Sequence, residues 1–431
     1  MNNNTLVTKQ NTSRVRLILM LGLIVCCIIL TACENGNVLP AEQSIDILPT
    51  PHTPVRIAIL TEPFGWGGVG WESYSANWLR EIHGAEKIYH NTTWGGSRSS
   101  MALTAESIIN DPEIKVVIVN SARRGVNYFV SKIREQRSDI FIVYIDYDSD
   151  GHCDYPYIFQ TFSEGVAMAD LILNIDMLEM YRNLPAQAQS LGAETLVFFY
   201  IADWDDKNCW AAEFYFSYER ELMRAMSEEI GLRFVAVPRG QWCIQCGGSF
   251  HMYLKDNVQP LIDKYGKDIA FVGLGGARIL AMSTMEGVIY LSSYMQSSPA
   301  RLAFDMRDYM LVPTSLCGME NDALSNKNNL AFIIEELRAT LDEYEMLGRV
   351  STWPVSASTL LTYAAVEYGI KWINSDVPQD NVDLKILQQI MVDFIAKYYG
   401  EHGLGVNLTQ RVHDGNIYTN YVLIFMDFMT Y

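Results

Sequence analysis

Basic residues are scarce in this chain: 32 Lys and Arg stand against 50 Asp and Glu over 431 residues, a net charge of −18 at pH 7. So acidic a surface repels nucleic acid and anionic lipid headgroups alike, which excludes both as partners of the folded surface. Catalytic signatures are missing as well. There is no Walker A loop, no His-Glu-x-x-His pair, no nucleophile-elbow serine and no long glycine fingerprint for a dinucleotide. The scattered Ser, His and Asp residues define no triad, so nothing argues for an enzyme, and no cofactor is expected. No short-period repeat occurs, and no low-complexity tract lies outside residues 34–54. What remains is 49% hydrophobic and 12% aromatic, which suits a globular protein with a large core.

The apolar run from Leu17 to Leu30 spans fourteen residues, short of the ~20 that a membrane-crossing helix needs. Lys9, Arg14 and Arg16 precede it, no acidic residue occurs before Glu34, and Thr31-Ala32-Cys33 follows. That order is the pattern of a secretory signal. The cysteine after Thr-Ala resembles the lipobox of bacterial lipoproteins, in which the thiol is acylated and becomes the first residue of the mature protein. Residues 1–32 are therefore expected to be a lipoprotein signal peptide, Cys33 the lipidation site, and the extracytoplasmic face of the cell membrane the location. An uncleaved N-terminal anchor is the alternative. Without residues 1–32, 29 basic residues face 50 acidic ones, a net charge of −21, so lipid rather than surface charge must hold the protein to its membrane. Five cysteines then remain, Cys153, Cys209, Cys243, Cys246 and Cys317, so at least one thiol is free or paired externally.

Residues 33–54 carry four prolines and read as a flexible tether. Beyond it, strand-length apolar runs occur at Val55–Leu60, Lys115–Asn120, Ile140–Ile145, Thr195–Ile201, Arg233–Val237, Ile269–Gly273 and Val288–Leu291. Their near-continuous Val, Ile, Phe and Tyr content predicts strands covered on both faces. Helical patterns lie between them. Val126, Phe129, Val130 and Ile133 give one apolar face to Arg124–Arg137, and Leu222, Met226 and Ile230 give another that stops at Gly231. Alternation of strand and helix predicts right-handed βαβ units. The fold expected is α/β: two Rossmann-like lobes with parallel sheets, over residues 55–165 and 166–289, joined by the helical stretch Glu164–Leu191. Residues 290–431 are expected to hold crossover segments and a mostly helical C-terminal region, with helices at Asn328–Leu347, Ser356–Ile373 and Leu384–Tyr399 and a final strand at Ile417–Met426.

The run Asp111 to Asn120, followed by Lys132 to Ile140, resembles an uncharacterised family of bacterial lipoproteins that is similar in fold to type 1 periplasmic binding proteins. The likeness is clearest over residues 110–145 and extends in element order from 55 to about 310. It implies two lobes that close on a small molecule at the carboxyl ends of the strands, serving a membrane transporter or a sensor. That placement agrees with the physics of open parallel sheets, where strand ends and helix N-termini form a polar crevice.

Segments just past a strand are accordingly the candidate ligand contacts. Trp66 lies with Trp71 in a loop of four glycines, where it either stacks on a ligand or packs on the neighbouring helix. Asn120 and Arg123 follow the run at Lys115–Asn120, where capping of the next helix is the plainer use. Asp146 opens an acidic stretch that suits a ligand hydroxyl or amine. A calcium loop there lacks the bidentate Glu, because Tyr157 holds the twelfth position. In the second lobe, Asp203 and Trp204 form a half-site for a cationic or polyhydroxylated ligand, and Arg278 follows Gly275-Gly276. Trp242-Cys243-Ile244-Gln245-Cys246 is similar to a thioredoxin-like redox site, but Gly247 and Gly248 suit poorly the helix that such chemistry requires. A structural disulfide, or a pair of reduced thiols, is the expected role of Cys243 and Cys246. A zinc site from Cys243, Cys246 and His251 lacks a fourth ligand at the usual spacing, so no metal is expected.

The function expected is an extracytoplasmic, lipid-anchored solute-binding protein whose cleft gathers Trp66, Asn120, Arg123, Asp146, Asp203, Trp204 and Arg278. A thiol oxidoreductase using Cys243 and Cys246, and a scaffold lipoprotein that binds no ligand, are the alternatives.

Overall fold

Strands that are apolar on both faces must be covered on both, and this requirement organises the chain. In the computed structural model the described residues are 55–61, 71–92, 98–120, 126–146, 168–201, 210–239, 260–273, 301–303, isolated positions from 335 to 348, 350–399 except 354 and 356, and 404–431 except 414. The chain begins with β1 (Arg56–Thr61), α1 (Trp71–His83), β2 (Ile88–Asn91) and α2 (Arg98–Ile109). β3 (Ile114–Asn120), α3 (Val126–Gln136), β4 (Phe141–Asp146) and β5 (Leu171–Ile175) follow. These five strands pair in parallel. Successive side chains leave a strand on opposite faces. Ile57, Ile59, Val116 and Ile118 join the core that includes Trp78 and Leu79 of α1, while Ala58, Leu60, Val117 and Val119 join the one that includes α2 and α3. Val126, Phe129, Val130 and Ile133, one stripe of α3, are all buried in that second core.

The second series is α4 (Met177–Ser190), β6 (Thr195–Ile201), α5 (Trp210–Glu229), β7 (Arg233–Arg239), β8 (Ile269–Gly273), β9 (Arg301–Ala303) and β10 (Val350–Thr352). Its strands pair in parallel in the order β10-β9-β8-β6-β7. Gly231, at φ +75°, lies just past α5 in the left-handed region, the stop that the sequence predicts. The chain ends with α6 (Ala357–Ile373), α7 (Leu384–Tyr399), β11 (Val406–His413), β12 (Asn416–Met426) and β13 (Met429–Thr430). β12 adds to the first sheet parallel to β5, with β11 antiparallel on its outer side, and β13 pairs antiparallel with β10 in the second sheet. Among the described residues no helix is long and apolar enough to cross a membrane.

The two parallel sheets expected from the sequence are therefore present; β2, β9 and β10 join them beyond the expected runs, and two expected regions differ in detail. Leu171–Ile175 falls inside the stretch expected as a joining helix, yet it is a strand of the first sheet with all five residues buried. Four apolar residues around Asn174 are too few for an amphipathic helix and enough for a covered strand. The helix begins only after Asp176, whose Oδ1 accepts from the Glu179 amide at 2.9 Å and caps α4. The C-terminal region is not only helical with one strand. β11 and β13 escaped notice because β11 alternates buried or half-buried with exposed positions, and β13 is two residues long. Val288–Leu291 and most of Asn328–Leu347 lie outside the described residues.

Helix α6 lies across β3. At their closest approach Gly369 has no side chain, and a Cβ there would meet Val116 Cγ1 at 2.9 Å. Alanine would ordinarily strengthen a helix by about 1 kcal/mol over glycine. Here the branched Val116 is locked in a buried strand and has no room to retreat, so Gly369→Ala is expected to destabilise by about 1–3 kcal/mol. Equilibrium urea denaturation measures it, and a stabilised variant would contradict this packing.

Candidate ligand site at the carboxyl ends of the first sheet

Parallel order brings five strand ends to one edge, together with the N-termini of the helices that follow them. Thr61 ends β1 and Asn120 ends β3; the two are register partners and both are fully buried. Asn91 ends β2, and Asp146, at the end of β4, pairs in register with Asn174 of β5. Asn120 Nδ2 donates to Thr362 Oγ1 of α6 at 2.7 Å, and one turn nearer the start of α6 Thr359 Oγ1 lies 3.1 Å from Ser75 Oγ of α1. Asn174 Nδ2 donates to the Tyr421 hydroxyl at 2.9 Å. Asn120, Thr362, Thr359 and Ser75 thus form a layer of hydroxyl and amide groups between the sheet and the two helices, while Asn174 and Tyr421 lie on the opposite face.

His90 belongs to this layer. Its Nδ1 is 3.0 Å from Asn77 Oδ1 and its Nε2 2.9 Å from Thr61 Oγ1. An amide oxygen can only accept, so Nδ1 carries the proton and Nε2 accepts from the threonine. Burial, helped by the nearby Arg80 charge, lowers the ring's pKa to about 4, so it is neutral under ordinary conditions.

Charge is concentrated at the other end of the sheet. Arg56 meets Asp111 at 2.5 Å, and Asp139 receives Lys115 and Arg137, each at 2.6 Å. Arg137 also donates to the carbonyls of Ile109, Asp111 and Ile114, and Arg134 pairs with Asp170. Hydrogen bonds from Arg137 and then Lys115 hold the Asp139 carboxyl far below the usual range. At the carboxyl end the described rim offers Arg98, the first residue of α2, with its guanidinium 4.5 Å from the Tyr128 ring. One atom of the neutral layer stands out: Asn120 Oδ1 is buried without a hydrogen-bond partner among the described residues.

Of the contacts expected from the sequence, the structure places Asn120 and Asp146 on adjacent strands of this edge. Trp66, Arg123, Asp203, Trp204, Arg278, Cys33, Cys243 and Cys246 lie outside the described residues, as do all but Asp146 of the weighed calcium loop and the whole Cys-His cluster. Thr61, His90, Ser75, Thr359 and Thr362 were not anticipated. Thr61 ends β1, where the same rule that selected Asn120 points, whereas His90 belongs to β2, a four-residue strand that the apolar runs did not mark. Thr362 is 242 residues from Asn120, and no local signal joins the two. No group of three or more His, Cys, Asp or Glu among the described residues is arranged to hold a metal.

The chain belongs to a family of proteins of unknown function, DUF3798, whose profile matches residues 97–351. The stretch from Asp111 to Ile140 that carries the resemblance lies within that match. No curated protein matches the chain. Among solved structures it is similar to a candidate transcriptional regulator from Clostridium difficile 630, at 16% identity over 88% of this chain and 99% of that one, with a TM-score of 0.64. A carbohydrate-transporter solute-binding protein from Agrobacterium radiobacter in complex with D-arabinose matches at 8% identity over 74% and 89% of the two chains, with a TM-score of 0.37. A carbohydrate transporter from Acidothermus cellulolyticus 11B in complex with myo-inositol matches at 12% identity over 81% and 99%, with a TM-score of 0.39.

The depressed pKa of His90 has a consequence for stability. The unfolded ring takes up its proton near pH 6.5 and the folded ring only near 4. Its contribution is therefore complete above pH ~6.5 and is lost as the pH falls toward 4. Between pH 7 and 4 the wild type is expected to lose about 2–3 kcal/mol more than His90→Gln, measured by denaturant titration at each pH. Parallel pH profiles for the two proteins would contradict the assignment.

Proposed function

We propose that this protein is a lipid-anchored, extracytoplasmic solute-binding protein whose two α/β lobes close on a small, uncharged, hydroxyl-rich molecule for an uptake transporter or a sensor. The observation that carries the reading is the contrast between the two ends of the first sheet. Ion pairs hold the amino end. At the carboxyl end the buried polar side chains among the described residues are neutral: Thr61, Asn120, Asn174, Ser75, Thr359 and Thr362, with an uncharged His90 beside them. Amides and hydroxyls both donate and accept, and so match a solute that also does both. A carboxylate or phosphate ligand would call instead for cations in that set.

Three passages of chain between the sheets support lobe movement: from β5 into α4, from β10 into α6, and from β12 into β13. Trp353 and Phe425, 6.0 Å apart edge to face, and Phe428, 5.9 Å from Phe425, pack where two of them run. Few and adjacent passages suit hinge closure. In this reading Trp66 and Arg123 from the first lobe, and Asp203, Trp204 and Arg278 from the second, complete the cleft with Asn120 and Asp146. Aromatic faces stack on the solute, and the polar groups fix its orientation. Cys33 holds the lipid, and Cys243 with Cys246 serves structure rather than redox exchange.

Calorimetric titration of the soluble domain with neutral monosaccharides, polyols, amino acids and dicarboxylates tests the solute class. A neutral polyhydroxyl compound is expected to bind and to change indole fluorescence, and Trp204→Ala is expected to weaken it by about 1–3 kcal/mol. Selective binding of an anionic solute would overturn the class. Cys33→Ser is expected to move the protein from the detergent-rich to the aqueous phase in detergent partition; unchanged partition would contradict the anchor.

A further inference from the structure

Asn120 is fully buried, and its amide is only half satisfied. A threonine hydroxyl inside a helix donates to the carbonyl one turn earlier and so meets a neighbour as an acceptor. Thr362, in the second turn of α6, accordingly accepts from Asn120 Nδ2 at 2.7 Å. That bond fixes the plane of the amide. Oδ1 is then left buried with no donor among the described residues. Turning the amide over does not remove the deficit, because it would leave Nδ2 unpaired in the same place. An unpaired buried acceptor bears its full desolvation cost, and native proteins leave few such groups. The amide is costly for folding, and it stands at the carboxyl end of the strand, where ligands of parallel sheets bind.

We propose that Asn120 Oδ1 accepts a hydrogen bond from a hydroxyl or ammonium group of the bound solute, and that Thr362 is the positioning residue that holds the amide for it. This rests on the solute-binding reading and adds one requirement to it: the solute presents a donor at this point. It also gives α6 a part in the ligand site. That helix begins at Ala357, beyond residues 97–351 matched by the family profile.

The test compares Asn120→Leu, Thr362→Val and Thr362→Ser with the wild type, in the ligand-free state and with D-ribose, D-glucose, D-xylose and sorbitol as probes. Ligand-free Asn120→Leu is expected to melt within about 2 °C of the wild type or above it, because the bond lost to Thr362 is offset by removal of the unpaired buried Oδ1. Its affinity for the probe that binds the wild type is expected to fall at least ~10-fold. Thr362→Val is expected to bind about 10-fold more weakly, and Thr362→Ser, which keeps the hydroxyl, to bind like the wild type. Ligand-free melting several degrees lower in Asn120→Leu, with affinity retained, would make Asn120 a structural residue and overturn the proposal while sparing the solute-binding reading. Should no probe bind the wild type, the polyhydroxyl class fails, and the ligand-free comparison still decides: a lower melting temperature overturns the role of Asn120, and an equal or higher one supports it.

Discussion

At Gly369 helix α6 approaches β3 so closely that a single methyl group would collide with Val116. This contact sets the height of α6 above the first sheet, and much else depends on it. The helix is buried along most of its length through Leu360, Leu361, Ala364, Ala365, Val366 and Tyr368. Near its start the same seating brings Thr362 to Asn120 and Thr359 to Ser75; near its end Trp372 stacks on Phe141 at 5.0 Å between centroids. Between them Glu367 faces His83 of α1 at 3.1 Å. One helix of the C-terminal region thus spans the first sheet from its charged end to its neutral one. It is joined through Val355 and Trp353 to β10 of the second sheet. That continuity ties the layer around Asn120 to the second sheet.

The distribution of charge follows from what each end must do. Guanidinium and carboxylate groups at the amino end close the turns between strands: Arg137 alone donates to three backbone carbonyls and to Asp139. Such a lattice is rigid, and its partners satisfy one another. The carboxyl end is built from groups that can exchange partners at small cost, because an amide or hydroxyl in contact with a solute hydroxyl replaces one hydrogen bond with another. Keeping His90 neutral belongs to the same arrangement, since the ring then meets Asn77 and Thr61 as one more neutral donor and acceptor.

Much of both sheets was legible from the sequence because buried parallel strands are continuous apolar runs. β6 and β8 match the expected bounds to the residue, and β3 and β4 differ at their ends by one residue. The amphipathic stripe of α3 and the glycine stop after α5 were equally plain. What escaped is what lacks a period. β5 has five residues and adjoins a helix, so it merged into the helical pattern. β11 alternates polar with apolar and is paired on one side, which removes the continuous signature. For the site, the expectation that segments just past a strand face a ligand named seven residues, of which Asn120 and Asp146 are among the described ones. It passed over hydroxyl-bearing residues such as Thr61 and Thr362 because they are common, and their meaning comes only from the partner across the fold. The distance along the chain between Asn120 and Thr362 put that pair beyond any reading by spacing.

A high-resolution structure of the protein isolated with its native small molecule bears most directly on this account. The account predicts a neutral, hydroxyl-bearing compound held at the carboxyl ends of β1, β3 and β4, with a donor of the compound within 3.2 Å or so of Asn120 Oδ1. A molecule bound elsewhere, or an anion at that edge with Asn120 untouched, would contradict it.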